Sequence, residues 1–444
     1  MKFYLKTPFI LLTTVLLLAG CSGTNKPATT TKPTEKNVID AYVYLLGRAL
    51  AVRQEQTDLS EAGVGYNVIK YNEVGKADFV NPNLDVAYME AWLAVDENSA
   101  VILEVPKVEG RYYTVQLMDG WGEVFTNINE RNYPNHPYGK YALCLENTTA
   151  NIPDDALKVI VPTKKIKMLA RVELQNTIDK AVELQKQFKV SVIGTPQIEP
   201  IPALPTFTNN ELLDLAVFEN IDELLKVTDT KLASGDSIQE ISRNVSAYLK
   251  QAETNATEVK SIIKEKAIPQ FMQYAISNAG KLENNWLATL YTGEYNGNYW
   301  MRTAANFVGI WANTPAEVVY LIASNDVGGQ PLAGGQAYEL VFDKDKLPIE
   351  SVHAFWSVIL VDFPNYRVVP NELNRFNFNN YTKFAYNKDG SLSIYIAPEY
   401  NKAWPKSNWL PSPKDGKFNL TIRMYVPKDN VLKGEWFPSG VAKI

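Results

Sequence analysis

The 444-residue chain is poor in the side chains that most often carry metal and redox chemistry, with two cysteines and two histidines. A zinc site built from several histidines is excluded, and no cysteine cluster replaces it. Cys144 lies in the apolar run Tyr141-Ala142-Leu143-Cys144-Leu145 and reads as a buried core thiol. His353 reads as a structural histidine in the apolar stretch His353-Ala354-Phe355-Trp356-Ser357, and His136 as an exposed loop residue. A general base would therefore be a carboxylate or tyrosine. The phosphate loop, the dinucleotide fingerprint and the Gly-x-Ser-x-Gly elbow are all missing. Positive charge is not in excess: the formal charge is −5, which argues against general nucleic-acid affinity. The one marked apolar run, Phe9 to Ala19, is too short to span a bilayer as a helix.

That run is informative for another reason. Lys2 and Lys6 precede it, and it ends in Leu18-Ala19-Gly20-Cys21, the pattern of a bacterial lipobox. Residues 1–20 then read as a lipoprotein signal peptide, with Cys21 as the lipidation site and membrane anchor. Residues 21–36, rich in Thr, Pro, Lys and Ser, read as a flexible tether. The expected location is the cell envelope, and Ser22 after the cysteine points to the outer membrane in a Gram-negative host.

Beyond the tether, 46% hydrophobic and 21% charged residues describe a globular chain. Nine Trp, 24 Tyr and 17 Phe alongside 25 Pro favour a β-rich one. Asn37 to Arg53 has helical spacing, with Val38, Tyr42, Leu45, Leu46 and Ala49 on one side. Ala87–Val95, Ala100–Val105 and Arg111–Met118 read as strands, and Val172–Phe188 as a helix. Thr208 with Glu211 looks like a capping box, and Ile238–Leu249 and Val259–Leu282 look helical. From Tyr291 the pattern is strand-like again, clearest at Ala337–Phe342, His353–Val361, Leu392–Ile396 and Leu420–Val426. In the last of these, Leu420, Ile422, Met424 and Val426 alternate with Thr421, Arg423 and Tyr425. The expected fold is mainly β with an α-helical insertion. Two antiparallel β-sandwich or jelly-roll-like domains, 37–205 and 291–444, flank a helical segment, 206–290.

Three clusters attract functional attention. Asn81-Pro82-Asn83-Leu84-Asp85-Val86-Ala87-Tyr88 puts an amide and a carboxylate at a strand entrance, where an ordinary turn is the simpler explanation. Arg111 to Asp119 is a strand carrying an arginine that can reach Asp85 or Asp119 from a neighbouring strand, as a salt bridge or as a clamp on an anionic ligand. The C-terminal aromatics, Tyr299-Trp300-Met301-Arg302 among them, fill a core or form a stacking platform.

Taken in order, these motifs resemble the bacterial family that pairs a DUF1254 domain with a C-terminal DUF1214 domain. The first part rests on Asn81-Pro82-Asn83-x-Asp85-x-x-Tyr88, Trp92, Gly110-Arg111-Tyr112-Tyr113, Asp119 and Arg171. The second rests on Tyr299-Trp300-x-Arg302, Asp326-x-x-Gly329-x-Pro331-Leu332, Phe355-Trp356-Ser357, Asn408-Trp409-Leu410-Pro411, Arg423-x-Tyr425 and Gly434-x-Trp436. The resemblance implies a two-domain, largely β, often exported protein and no settled activity; residues 127–153 depart from the family's glycine-richer pattern. Three readings stay open. One is an envelope hydrolase of a small polar or anionic substrate, such as a phosphoester. In it Asp85 or Asp119 serves as acid/base or divalent-ion ligand, Tyr88 as proton or hydrogen-bond donor, and Asn83, Arg111, Trp300 and Arg302 as substrate contacts. The second is a small-ligand or carbohydrate-binding lipoprotein, and the third an envelope scaffold in which Asp85, Arg111 and Arg302 form buried ion pairs. The sequence leaves the cofactor and any metal unknown.

Overall fold

In the computed structural model, residues 30–74, 82–232, 237–278 and 280–444 are described. The signal and lipidation readings centred on Cys21, and Asn81 of the first motif, fall outside them.

The chain begins with a long helix, α1 (Glu35–Leu59), opened by a reciprocal cap between Thr34 and Asn37. Its apolar spacing predicts one buried side, yet residues all around it are buried, Arg48 and Glu55 included. A helix buried on every face forms the centre of a helical layer rather than its rim.

The first β domain follows, with β1 (Lys70–Tyr71), β2 (Val86–Ala94), β3 (Ala100–Val105), β4 (Tyr113–Met118), β5 (Val124–Ile128), β6 (Gly139–Cys144), β7 (Ala156–Ile160), β8 (Lys165–Glu173), the short α2 (Ile178–Gln185) and β9 (Lys189–Ile193). They form a five-stranded sheet, β1-β2-β8-β4-β5, and a four-stranded sheet, β7-β6-β3-β9. Apolar side chains from both sheets meet in one core, including Met89, Leu93, Leu103, Val115, Leu143 and Met168. The helix expected over Val172–Phe188 is instead the end of β8, a turn and α2. Val172 and Glu173 pair with Ala87 and Val86, so strand pairing overrides local helical spacing.

The helical layer contains α3 (Ala216–Glu219), α4 (Ile221–Leu224), α5 (Ile238–Leu249), α6 (Glu253–Ile262) and α7 (Ile268–Ser277), with a π-helical turn over Ile263–Ala267. Pro269, just beyond that turn, lacks an N–H and crowds the preceding carbonyls, a known cause of such bulges. Thr208 does cap the Glu211 N–H, but only an isolated turn results and the helix starts later, at Ala216.

The second β domain is made of β10 (Lys281–Glu283), β11 (Trp286–Ala288), a helix α8 (Tyr299–Gly309), β12 (Val318–Ala323), β13 (Tyr338–Phe342), β14 (Trp356–Phe363), β15 (Asn377–Asn379), β16 (Leu392–Ala397), β17 (Trp409–Pro411), β18 (Lys417–Tyr425), the short α9 (Asp429–Leu432) and β19 (Ala442–Lys443). Its sheets run β10-β11-β12-β18-β14-β15 and β17-β16-β13-β19. The architecture is the expected pair of β-rich sandwiches with helices between. The two four-stranded sheets are mixed rather than purely antiparallel, because β6–β7 and β16–β17 are parallel pairs.

Two sequence expectations change here. The Tyr299–Arg302 motif lies on α8, which packs beside α1 rather than in a strand region; Ala304 joins the helical core. His353 precedes β14 and is exposed. The helical layer is therefore assembled from α1, the 216–277 segment and α8.

Candidate functional site

The five-stranded sheet of the first domain and the six-stranded sheet of the second turn polar rows toward each other. On the first, Tyr88 of β2, Arg171 of β8 and Thr114 of β4 are register neighbours. On the second, Tyr320, Arg423, Ser357 and Asn379 form one row across β12, β18, β14 and β15. Side chains at alternate positions share a face, so Thr421, Arg423 and Tyr425 all lie opposite the apolar core positions of β18. They are nonetheless buried, and Arg423 and Tyr425 touch Pro82 and Asn83 of the first domain. Between the rows sits a small apolar cluster of Val86, Tyr112, Val318, Phe355, Tyr425 and Val426.

Polar contacts fasten the two faces. Asp85 Oδ1 accepts from Asn377 Nδ2 and Asn379 Nδ2, each at 2.8 Å. Asn83 donates to the Tyr425 hydroxyl, and its own Oδ1 accepts from the Asp85 N–H. Tyr112 donates to Glu317 Oε2 at 2.9 Å, and Arg131 reaches both oxygens of Glu317 at 2.9 and 2.8 Å. Tyr381 donates to Glu173 Oε1 at 2.6 Å. The Arg423 Nη2 group donates to the Pro82 carbonyl at 3.2 Å.

Arg171 occupies the middle of this assembly and is 2% exposed. Its Nη1 donates to Gln116 Oε1 at 2.8 Å, and its guanidinium lies over the Tyr88 ring, 5.4 Å from the centroid. Gln116 is oriented by its own donors, which reach the Trp311 and Ala312 carbonyls at 3.1 and 3.0 Å; this leaves its oxygen facing the arginine. Arg171 Nε is buried and without a hydrogen-bond partner. No carboxylate among the described residues forms an ion pair with Arg171. Burial works against its charge, but the surrounding tyrosines, Tyr88, Tyr320, Tyr425 and Tyr112, hold it above the ordinary arginine value. Burial raises the Tyr112 and Tyr425 phenols well above the usual tyrosine range, so both are neutral hydrogen-bond donors at physiological pH.

At the edge of the site, burial pushes the Asp85 carboxyl up. Asn379, Ser357, Arg423 and Asn377 pull the other way by favouring its ionised form. Asp85 Oδ2 and Ser357 Oγ are buried with no hydrogen bond of good geometry. Around these buried groups Asn83, Tyr88, Tyr320, Asn377 and Asn379 are only half-buried.

The residues singled out from the sequence separate into four places. Asn83, Asp85 and Tyr88 meet at this interface. Arg111 lies at its periphery and reaches neither Asp85 nor Asp119. Its Nη1 donates to the Glu173 carbonyl at 2.8 Å and its Nη2 to Thr177 Oγ1 at 2.8 Å, which holds the β8–α2 turn. Asp119 and Arg302 belong to a second buried cluster. There Arg302 donates to both oxygens of Asp229, at 3.1 and 2.6 Å, approaches Glu123 Oε2 at 3.6 Å and lies over the Trp121 ring. Asp119 Oδ1 accepts from the Trp121 and Glu123 N–H groups. Trp300 is on α8, donating at 3.3 Å to Asp40 of α1. Among the described residues no group of three or more His, Cys, Asp or Glu is arranged to hold a metal ion.

Sequence reasoning did not give Arg171, Tyr320, Ser357, Asn377, Asn379 and Tyr425 a place in a site. The usable signal was the polar half of the alternation in β18 together with Arg171 as a motif residue. Nothing in the sequence joins them, since they come from domains far apart in the chain.

Over most of its length the chain is similar in structure to the VPA0106 protein of Vibrio parahaemolyticus, with a TM-score of 0.71 and 19% identity, covering 92% of this chain and 99% of that one. An uncharacterised protein of Burkholderia cenocepacia aligns with a TM-score of 0.42 and 12% identity, covering 91% of this chain and 87% of that one. No curated protein matches the chain. Residues 66–192 match the family described as protein of unknown function DUF1254, and residues 317–429 the family described as protein of unknown function DUF1214. The first facing sheet lies within the DUF1254-matched region and β12, β14, β15 and β18 of the second lie within the DUF1214-matched one, so the chain carries a region matching each family, DUF1254 first and DUF1214 second.

Proposed function

We propose that the protein binds a small anionic molecule, a monocarboxylate by preference, between its two β domains. The observation that carries this reading is Arg171, a buried guanidinium with no carboxylate partner, ringed by tyrosines. An unpaired buried charge is costly, and a ligand anion supplies the missing partner. A guanidinium offers paired N–H groups that match a carboxylate, and the neutral Tyr425 phenol adds a donor without adding charge. A single uncompensated cation suits a monoanion better than a phosphate dianion. Aromatic walls around it suit an apolar ligand body.

The hydrolase reading keeps one support, the Asp85 carboxyl with its raised affinity for a proton and its free Oδ2. In that version Asp85 is a general acid toward a ligand anchored at Arg171, with Ser357 and Tyr88 beside it. The lipobox supports a location at the envelope surface, anchored through Cys21.

A thermal-shift series with acetate, lactate, succinate and benzoate tests the binding reading. A ligand at about 100 times its dissociation constant stabilises by about 2.7 kcal/mol. A monocarboxylate that raises the melting temperature of the native chain but not of an Arg171→Gln variant supports it. Turnover of an ester or amide of that acid, lost in Asp85→Asn, would establish the hydrolase version. Loss of fatty-acid labelling in Cys21→Ser tests the anchor.

A further inference from the structure

We infer that a second site, sharing no residue with the Arg171 interface, binds a neutral oligosaccharide in a groove beside α7 and α8. Two clefts, of about 600 and 650 Å³, meet at Tyr274 and Asn298, which line both. Each alone has the volume of a typical small-molecule site, and end to end they suit a chain of several sugar units. Aromatic rings are spaced along the groove. Trp300 and Tyr274 lie 5.1 Å apart, tilted by 58°, in the first cleft, and Tyr291 lines the second with 61% of its surface exposed. Such faces pack against the C–H faces of sugar rings.

The polar lining has the matching chemistry. Gln270, Asn278 and Thr292 contribute amides and a hydroxyl, which both donate and accept, as sugar hydroxyls do. The lining has one cation against three carboxylates, Lys36 against Glu35, Asp40 and Glu294; Lys36 is paired with Asp40, and Asp40 also receives the Trp300 indole N–H at 3.3 Å. A strongly anionic ligand finds no surplus cation there. No lining residue belongs to a strand, so the groove offers no sheet edge to an extended peptide. It reaches Glu35 and Lys36, in the first turn of α1, 14 residues beyond the proposed lipidation site Cys21. A tether of that length leaves envelope glycans in reach.

Calorimetric and tryptophan-fluorescence titrations of the purified protein with chitotetraose and maltotetraose test the inference, with tetra-alanine as the competing ligand class. We expect one of the two glycans to bind with a dissociation constant in the millimolar range or below. Tyr291→Ala and Gln270→Ala, both at exposed positions, should each weaken it about tenfold. Trp300→Ala should abolish it, and Arg171→Gln should leave it unchanged. Failure of both glycans to bind overturns the inference. So does binding that survives both Tyr291→Ala and Gln270→Ala, or preferential binding of the peptide. None of these outcomes bears on the Arg171 site, whose own carboxylate series is read separately.

Discussion

The Arg171 guanidinium lies over the ring of Tyr88, its register partner on the adjacent strand, 5.4 Å from the ring centroid. This contact stands where a carboxylate would be expected. The contrast with Arg302 is direct. Both arginines are almost fully buried, but Arg302 is tied at two points to Asp229, while Arg171 has one amide oxygen and an aromatic face. One arginine is paired within the fold, and the other is the group on which the proposed ligand site rests.

Because Arg171 balances no acidic side chain, its removal leaves no orphaned anion. Arg171→Gln is expected to leave stability unchanged or to raise it by about 1 kcal/mol, read from the midpoint of urea unfolding. A loss of several kcal/mol would mean that Arg171 completes a structural charge pair after all.

Arg302→Met has the opposite expectation. It strands Asp229 and Glu123 in a buried setting, and breaking such a pair from one side costs about 3–5 kcal/mol. Adding Asp229→Asn should recover part of the loss, because the second variant removes the uncompensated charge. A double-mutant cycle in urea measures this.

The Asp119 carboxyl is pushed up to about 6 by burial, against the pull of Arg302 and of the Glu123 and Trp121 N–H groups. Below the ordinary value of 3.8 both folded and unfolded chains hold the proton, and this group gives no pH dependence. Between about pH 4 and 6 the folded chain keeps a proton that the unfolded chain has lost, so its contribution to stability falls as pH rises, by up to about 3 kcal/mol in all, and is flat above. Asp119→Asn keeps an acceptor for the two N–H groups and should remove that slope. The check is the difference between native and variant urea midpoints across this window.

Gly47 marks where α1 and α8 cross. A Cβ there would lie 2.3 Å from Thr303 Oγ1, and that hydroxyl donates to the Val43 carbonyl at 3.0 Å. Gly47→Ala should destabilise by about 1–3 kcal/mol through overpacking, and Thr303→Ala in the same chain should relieve part of it. Thermal unfolding of the native chain and the two variants decides this.

The strands and the two-sandwich layout were legible because alternation and turn residues are local signals. β2, β3, β4, β16 and β18 all fall within a few residues of their expected ranges. The helix expected at Val172–Phe188 failed where pairing with β2 outweighed spacing, and the capping box at Thr208 closed only a turn. The site was legible in halves. Asn83, Asp85 and Tyr88 stood out at the strand entrance, but the polar side of β18 looks like an ordinary solvent face. Only the docking of the other domain buries Arg423 and Tyr425 and brings Tyr425 to Asn83. Asp119 and Arg302 were noticed separately, and nothing in their spacing shows that Arg302 pairs with Asp229.

The most direct test is a calorimetric titration of the native protein and Arg171→Gln with the monocarboxylate that shifts the melting temperature most. The account predicts one saturable site per chain in the native protein, and affinity at least about tenfold weaker, a loss of about 1.4 kcal/mol or more, in a variant that unfolds at the same or a higher urea midpoint. Equal affinity in the two proteins, or no binding to the native protein, would contradict it.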